Sequence, residues 1–295
     1  MRGFVIFADS TCDLGKDLRD KYNIDYVPMN YVVDDEEYVA SLDWESHSAK
    51  EFYDIMRGGK RVFTTQVPKN RYIERFTETI EQGKDVLYIG CSSALSGSVN
   101  TAKIVAKELL EKYPQAKIFC IDSLCSSLGQ GHLAIVASNM RSEGKSIDET
   151  AQFIESIKLK MNQRGTVESM NYLARAGRIK ASKAFFGNLF GVKPLIISDR
   201  IGQNYAYKKV KGMNNARLAI AEDIKDVADG VYDMLYISHA DCEEEANKIK
   251  DAVLSVAPFK EVYMNTIAPI VGASVGPGTV IAYCYGKEVT IEGKE

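Results

Sequence analysis

Three short runs in the first half of the chain, Phe4–Ala8, Asp85–Ile89 and Lys117–Ile121, are rich in apolar residues. Each stops at a corner of small polar side chains: Asp9-Ser10-Thr11, Cys91-Ser92-Ser93 and Asp122-Ser123. Helix-like spacing follows, clearest after the second corner, where Ala102, Ile104, Val105, Leu109 and Leu110 recur with the helical period. A strand that is apolar along its whole length must be covered on both faces, and a mostly parallel sheet with helices above and below does that. In such sheets ligands sit at the carboxyl ends of the strands, where the three corners would converge.

At 295 residues the chain exceeds one ordinary core. The expectation is an α/β fold of two α/β domains: residues 1–162 with a mostly parallel sheet and helices on both faces, and residues 163–295 with a mixed sheet and helices. Within the first, Tyr26–Val33 reads as one strand and Asp34–Trp44 as a hairpin or surface excursion. Helical spacing is read from Ile147 to Asn162, with a strand at Thr166–Glu168. Later, Asp199–Gln203 predicts a hairpin turn, and Gly272–Gly278, with three glycines and a proline, predicts a tight turn before the strand Thr279–Tyr285. Phe185, Phe186, Leu189 and Phe190 read as core or as the lining of an apolar pocket.

Several chemistries have little to build on. A net charge of −3 without a basic stripe argues against nucleic acid as the main partner. Six scattered cysteines and three histidines form no metal-ligand spacing. There is no Walker A pattern, and Gly129-Gln-Gly131-His-Leu-Ala134 fits a dinucleotide loop only in spelling, because seven residues part it from the preceding strand. Those glycines more simply let a helix pack closely. No run approaches ~20 apolar residues, so no membrane-spanning segment is expected, and the leading apolar run is too short for a signal peptide. The expected compartment is the cytoplasm, with membrane contact no more than transient.

The hydroxyl-rich turn Gly90–Gly97 opens a helix, where backbone N–H groups and serine hydroxyls could receive an anion. It reads equally as an ordinary strand–helix connection with serine capping. Thr64 and Thr65 sit beside a corner that ends in Pro68, and Arg175 and Arg178 could hold an acid or simply face solvent. Ser93 or Ser96 could serve a hydrolase or acyltransferase as nucleophile, although no GxSxG elbow appears. The base would have to come from elsewhere in the chain, and His239, at a strand end, reads more simply as a structural polar residue.

In this order, Asp9-Ser-Thr-Cys-Asp-Leu14, Thr64-Thr-Gln66, Ser92-Ser-Ala-Leu-Ser-Gly97, Asp122-Ser123 with Gly129, Leu173-Ala-Arg-Ala-Gly-Arg-Ile179, Lys193-Pro194 and Gly272–Gly278 resemble the DegV family over nearly the whole chain. The resemblance implies a lipid-binding carrier, without catalysis of its own, that holds a long-chain fatty acid between two α/β domains. No cofactor is implied, and a separate ATP-using fatty acid kinase would act as partner. By position, the carboxyl group would meet Thr65 or Thr64, Ser93 and Ser96 at the turn closed by Gly97, with Arg175 near the mouth as ligand or partner contact. Ser274 stands where the family commonly has histidine; its hydroxyl can hydrogen-bond but cannot carry a proton or charge near neutral pH. The alternatives kept beside this are the serine-dependent enzyme and a binder of a smaller organic acid.

Overall fold

The computed structural model describes residues 2–181, 185 and 191–293. Of the aromatic and leucine positions expected between 185 and 190, Phe186, Leu189 and Phe190 lie outside the described residues, while Phe185 is half-buried against the main core.

In chain order the first half runs β1 (Phe4–Asp9), α1 (Lys16–Tyr22), β2 (Ile24–Val27), β3 (Asn30–Val33), β4 (Glu36–Val39), α2 (Ala49–Arg57), β5 (Val62–Thr65) and α3 (Lys69–Glu81). It continues with β6 (Asp85–Gly90), α4 (Ser98–Lys112), β7 (Ile118–Asp122), α5 (Ser127–Ser142) and α6 (Ile147–Ile157). Strands β2-β1-β6-β7 make a wholly parallel sheet, with Ile6 beside Ile24 and Phe4 beside Asp85. The central apolar runs bury as expected, every residue of β6 and all but one of β1, whereas β7, at the sheet edge, is mostly half-buried.

The single strand expected over Tyr26–Val33 is instead two strands in different sheets. Pro28 offers no N–H to continue the ladder, and the Met29 N–H donates to the Ser10 hydroxyl at 2.9 Å rather than to a neighbouring strand. The chain thereby leaves the parallel sheet and starts a small antiparallel one, β4-β3-β5. Its β3–β4 hairpin turns at Asp34 and Asp35, both at positive φ as the tightest hairpin turns require. That hairpin is the one expected within Asp34–Trp44.

The remainder comprises β8 (Met161–Thr166), α7 (Met170–Ala176), β9 (Val192–Ser198), β10 (Asn204–Lys211), α8 (Gly212–Ala228), β11 (Met234–His239), α9 (Glu243–Val256), β12 (Glu261–Thr266), α10 (Pro269–Val275) and β13 (Val280–Tyr285). The mixed sheet runs β10-β9-β8-β13-β11-β12, with β11 and β12 its parallel pair. Two expectations fail here. The helix read through Asn162 stops at Ile157, and β8 replaces both its end and the strand expected at Thr166–Glu168. Buried polar side chains disguise β8: Asn162 donates to the Lys287 carbonyl at 2.8 Å and Thr166 to the Pro194 carbonyl at 2.8 Å. The turn expected at Gly272–Gly278 begins inside α10, which starts at Pro269 and ends where Gly276 takes φ +78. Proline in a first helical turn lacks only an N–H that would be unpaired there.

Helix α5 joins the layers. It packs on β1 and β6 on one side and on β8, β11 and β13 on the other. The close approach expected of its glycines is realised: a Cβ at Gly131 would lie 2.7 Å from the Leu14 side chain and 3.0 Å from the Cys12 carbonyl oxygen. One at Gly129 would lie 3.2 Å from the Tyr283 ring. Gly131→Ala should therefore destabilise the fold by about 1–3 kcal/mol through overpacking, although alanine favours helices by about 1 kcal/mol over glycine. Urea denaturation measures the net effect, and an unchanged or raised midpoint would contradict the close packing. The far face of the mixed sheet packs on α8 and α9 through a second core that includes Ile220, Leu235 and Val253.

Candidate functional site

The polar corners do meet at the carboxyl ends of the parallel strands, but largely to bind one another. Asp9 is fully buried; its carboxylate accepts from the Thr11 N–H and hydroxyl, from the Tyr88 hydroxyl at 2.7 Å and from the Cys91 N–H at 3.0 Å. Asp122 accepts from the N–H groups of Ser93 and Leu124, both at 3.1 Å. With its N–H held by Asp122, Ser93 is exposed to solvent and does not line the cavity that lies beside the corners. Ser93 is thus not brought together with the other candidates.

That cavity has a volume of about 260 Å³. Thr64, Thr65 and Gln66 line it from the end of β5, Ser96 and Gly97 from the turn before α4, and Ser274 from α10. Thr64, Thr65, Ser96, Gly97 and Ser274 were all expected from sequence; Gln66 was quoted only as part of a motif. The side chains of Thr64, Thr65 and Gln66 have no hydrogen-bond partner among the described residues. Ser96 is partly engaged: its hydroxyl lies 3.0 Å from that of Ser98 and accepts from the Ser98 N–H at 3.3 Å. Gly97 allows a close approach, since a Cβ there would lie 2.5 Å from Gln66 Oε1. The Ser274 hydroxyl makes a single long bond, 3.5 Å, to the Ile270 carbonyl of its own helix.

Apolar side chains complete the wall: Met29, Leu95, Ile270, Val271, Val275 and Ile281. Cys91 adds a thiol that burial keeps protonated by raising its pKa. Helix α10 carries four of the lining residues and is tied to the first half at its start. The Ala268 N–H donates to Asp13 Oδ1 at 2.9 Å, and the Tyr53 hydroxyl donates to the Ile267 carbonyl at 2.7 Å. Asp13 also accepts from Ser127, and burial raises its pKa from 3.8 to about 7.

Arg178, rather than Arg175, is the charged residue of the cavity lining. Helix α7 ends at Gly177 in the left-handed region, and the chain then swings Arg178 back so that its Nε donates to the Leu95 carbonyl at 2.7 Å. Arg175 stays on α7, exposed, with Nε on the Asn171 carbonyl at 3.2 Å and its guanidinium 4.9 Å from the Tyr172 ring centre. It faces an adjoining cleft of about 160 Å³, shared with Arg61, Lys60 and Arg178, that borders the cavity at Thr64 and Ser274. The sequence gives no spacing signal for Gln163 and Asn204, which also line the cavity, because they lie on strands β8 and β10 whose approach is a tertiary event.

No histidine reaches Ser93 or Ser96. His47, half-exposed, pairs with the Tyr31 hydroxyl at 2.6 Å, and His132 Nδ1 lies 3.1 Å from the Tyr236 hydroxyl. Burial lowers the His132 pKa to about 4. His239 Nδ1 accepts from the Cys242 N–H at 3.4 Å, the structural role expected of it. None of the three histidines is hydrogen-bonded to a serine of this turn. Among the described residues no helix is long and apolar enough to cross a membrane, and no three metal-binding side chains cluster.

A family model described as "Uncharacterised protein, DegV family" matches residues 3–287. A DegV domain-containing protein of Clostridium perfringens is 34% identical over 287 residues, 97% of this chain and 98% of that one. Among solved structures, one reporting fatty acid binding of a DegV family protein from Thermus thermophilus superposes with a TM-score of 0.88 at 27% identity, covering 97% of this chain and 100% of that chain. A DegV lipid-binding protein from Thermotoga maritima gives 0.84 at 25% identity, covering 98% and 100%. DegV from Bacillus subtilis, a fatty acid binding protein, gives 0.82 at 25% identity, covering 97% and 100%.

Proposed function

Because the chain belongs to the DegV family, we propose that it binds one long-chain fatty acid in the cavity between β5, α10 and the turn before α4. The observation that supports this reading is a pair of unengaged, uncharged hydroxyls, Thr64 and Thr65, in a cavity whose wall also carries the aliphatic side chains Met29, Leu95, Ile270, Val271, Val275 and Ile281. The carboxylate sits against Thr65, Thr64, Ser96 and Ser274, with Gly97 leaving room for Gln66 and with the Arg178 guanidinium at the edge.

The physics supports an acid held mainly by neutral donors. A carboxylate in an apolar surrounding protonates unless hydrogen bonds satisfy it, and several hydroxyls together do so without a buried ion pair. A chain of ~15 methylenes gains up to about 12 kcal/mol on burial; association and ordering offset part of that.

The protein then acts as a carrier, without chemistry of its own, and offers the carboxylate to a separate ATP-using kinase. Ser274 can hold the carboxyl group but cannot protonate it or lend it a charge, so in such a pairing positive charge from this chain comes from Arg178 and the adjoining cleft rather than from position 274. Arg175, on the neighbouring cleft, belongs to the partner side of this arrangement rather than to the carboxylate.

Native mass spectrometry of the freshly purified protein, followed by identification of the ligand after denaturation, tests the reading. Expected is a fatty acid near one per chain. A protein that is empty and also fails to take up added fatty acid overturns it in favour of a smaller acid. Covalent labelling of Ser96 by a serine-reactive phosphonate would overturn it in favour of an enzyme.

A further inference from the structure

We infer that the cavity carries a second polar subsite, centred on Gln163, that receives a hydroxyl group borne by the acyl chain. The preferred ligand is then a hydroxy fatty acid rather than a plain one. This rests on the fatty acid reading above and specifies its ligand class.

Gln163 lies on β8, is 5% exposed, and lines the cavity. A chain of amides fixes which way its carboxamide points. The Arg178 carbonyl can only accept, so Asn204 must present its Nδ2 there, at 3.0 Å. Asn204 Oδ1 then faces Gln163 and accepts from Nε2 at 3.2 Å. What remains of the Gln163 carboxamide is Oε1, an acceptor with no partner among the described residues.

A second open group lies on the same cavity. Ser126 is the residue before α5 and is 9% exposed, yet its hydroxyl does not cap the helix and has no partner among the described residues. Both groups are carried by β8 and by α5, which packs on β8, whereas Thr64 and Thr65 belong to the small antiparallel sheet.

A plain methylene chain laid against Oε1 would strip it of water and return nothing. A ligand hydroxyl donates to it. An oxo group or a second carboxylate, which bring only acceptors, would face Oε1 oxygen to oxygen and could be met only by the Ser126 hydroxyl, whereas a ligand hydroxyl can use both groups. The open acceptor therefore selects for a donor, and among modified acyl chains that means a hydroxyl.

The test is competitive displacement of a fluorescent fatty acid from delipidated protein by octadecanoic acid, its positional hydroxy isomers and the matching oxo acids. At least one hydroxy isomer should bind about tenfold more tightly than octadecanoic acid, the worth of one well-made hydrogen bond, and its oxo counterpart should not. Gln163→Met, of similar length and without the acceptor, should remove that advantage. The inference is overturned if no hydroxy isomer surpasses octadecanoic acid in the wild type, a result independent of whether the variant folds. It is also overturned if a folded Gln163→Met keeps the preference. Failure of octadecanoic and hydroxy acids alike to bind would overturn the fatty acid reading itself, a distinct outcome.

Discussion

Thr65→Val should lower the affinity for a long-chain fatty acid about 10- to 100-fold, whereas Ser93→Ala should leave it unchanged. Valine keeps the shape and the strand preference of threonine and removes only the hydroxyl. Thr65 pairs with Asn30 at the end of β5, and its side chain is spent on no other group among the described residues. A hydrogen bond to a charged acceptor contributes about 1.5–3 kcal/mol, which is the stated range in affinity. Ser93 shares a motif with Ser96 but is exposed, its backbone held by Asp122. Isothermal titration with a fatty acid separates the two. A loss from Ser93→Ala with Thr65→Val unchanged would place the carboxyl group at the turn and not at β5.

The second large effect is on stability as pH changes. Asp13 is completely buried, and its carboxyl group is pushed up to about 7 from 3.8 chiefly by desolvation, with the Asp9 charge adding to the rise. The hydrogen bonds from Ser127 and Ala268 oppose that rise without cancelling it. The folded state thus holds this proton more tightly than the unfolded chain. The resulting stabilisation is complete below about pH 4 and is lost as pH rises through about 7, and the pKa difference is worth about 4 kcal/mol. Asp13→Asn should remove this dependence. Its amide oxygen can still accept from Ala268, its NH2 can donate to the Ser127 hydroxyl, and Ser127 can still reach Ser238. Asparagine also tolerates the φ of +52 at this position. Denaturant midpoints of the two proteins should be close at pH 4 and diverge in favour of the variant by pH 8. Parallel curves across that range would show that Asp13 does not titrate between the folded and unfolded states.

Asp13 also connects this titration to the cavity, because the N–H it holds begins α10, which carries Ile270, Val271 and Ser274 to the wall. Cys12, Tyr53 and Tyr283 lie close to it, but burial raises all three well above neutrality, so they stay uncharged through the same range.

Much of the fold was readable from residues alone. β1 and β6 announce themselves because strands buried on both faces need apolar side chains throughout; β7, half-buried at the sheet edge, keeps an apolar run too, and the helices between them keep the helical period. β8 was not readable. Asn162, Gln163, Arg164 and Thr166 are buried polar residues, and most of their partners, such as the carbonyls of Pro194 and Lys287, are remote in sequence. A polar strand satisfied by distant groups has no local signature. α10 was hidden for a different reason: its glycines spell a turn, and the Tyr53 hydroxyl beside Gly272 is what requires the small residue.

The site divides along the same line. By itself the sequence determined the alternation of strands and helices, the small polar corners that end the strands, and the hydroxyls at Thr64, Thr65, Ser96 and Ser274, because these follow from side-chain type and short-range spacing. Only the tertiary structure decided which of them face one cavity: it turned Ser93 out, carried Arg178 in while leaving Arg175 outside, and brought Gln163 and Asn204 to the wall. The physical reason is that orientation at a turn or strand end is set by hydrogen bonds to groups far along the chain, here Asp122 for Ser93 and Leu95 for Arg178, and no local pattern records them.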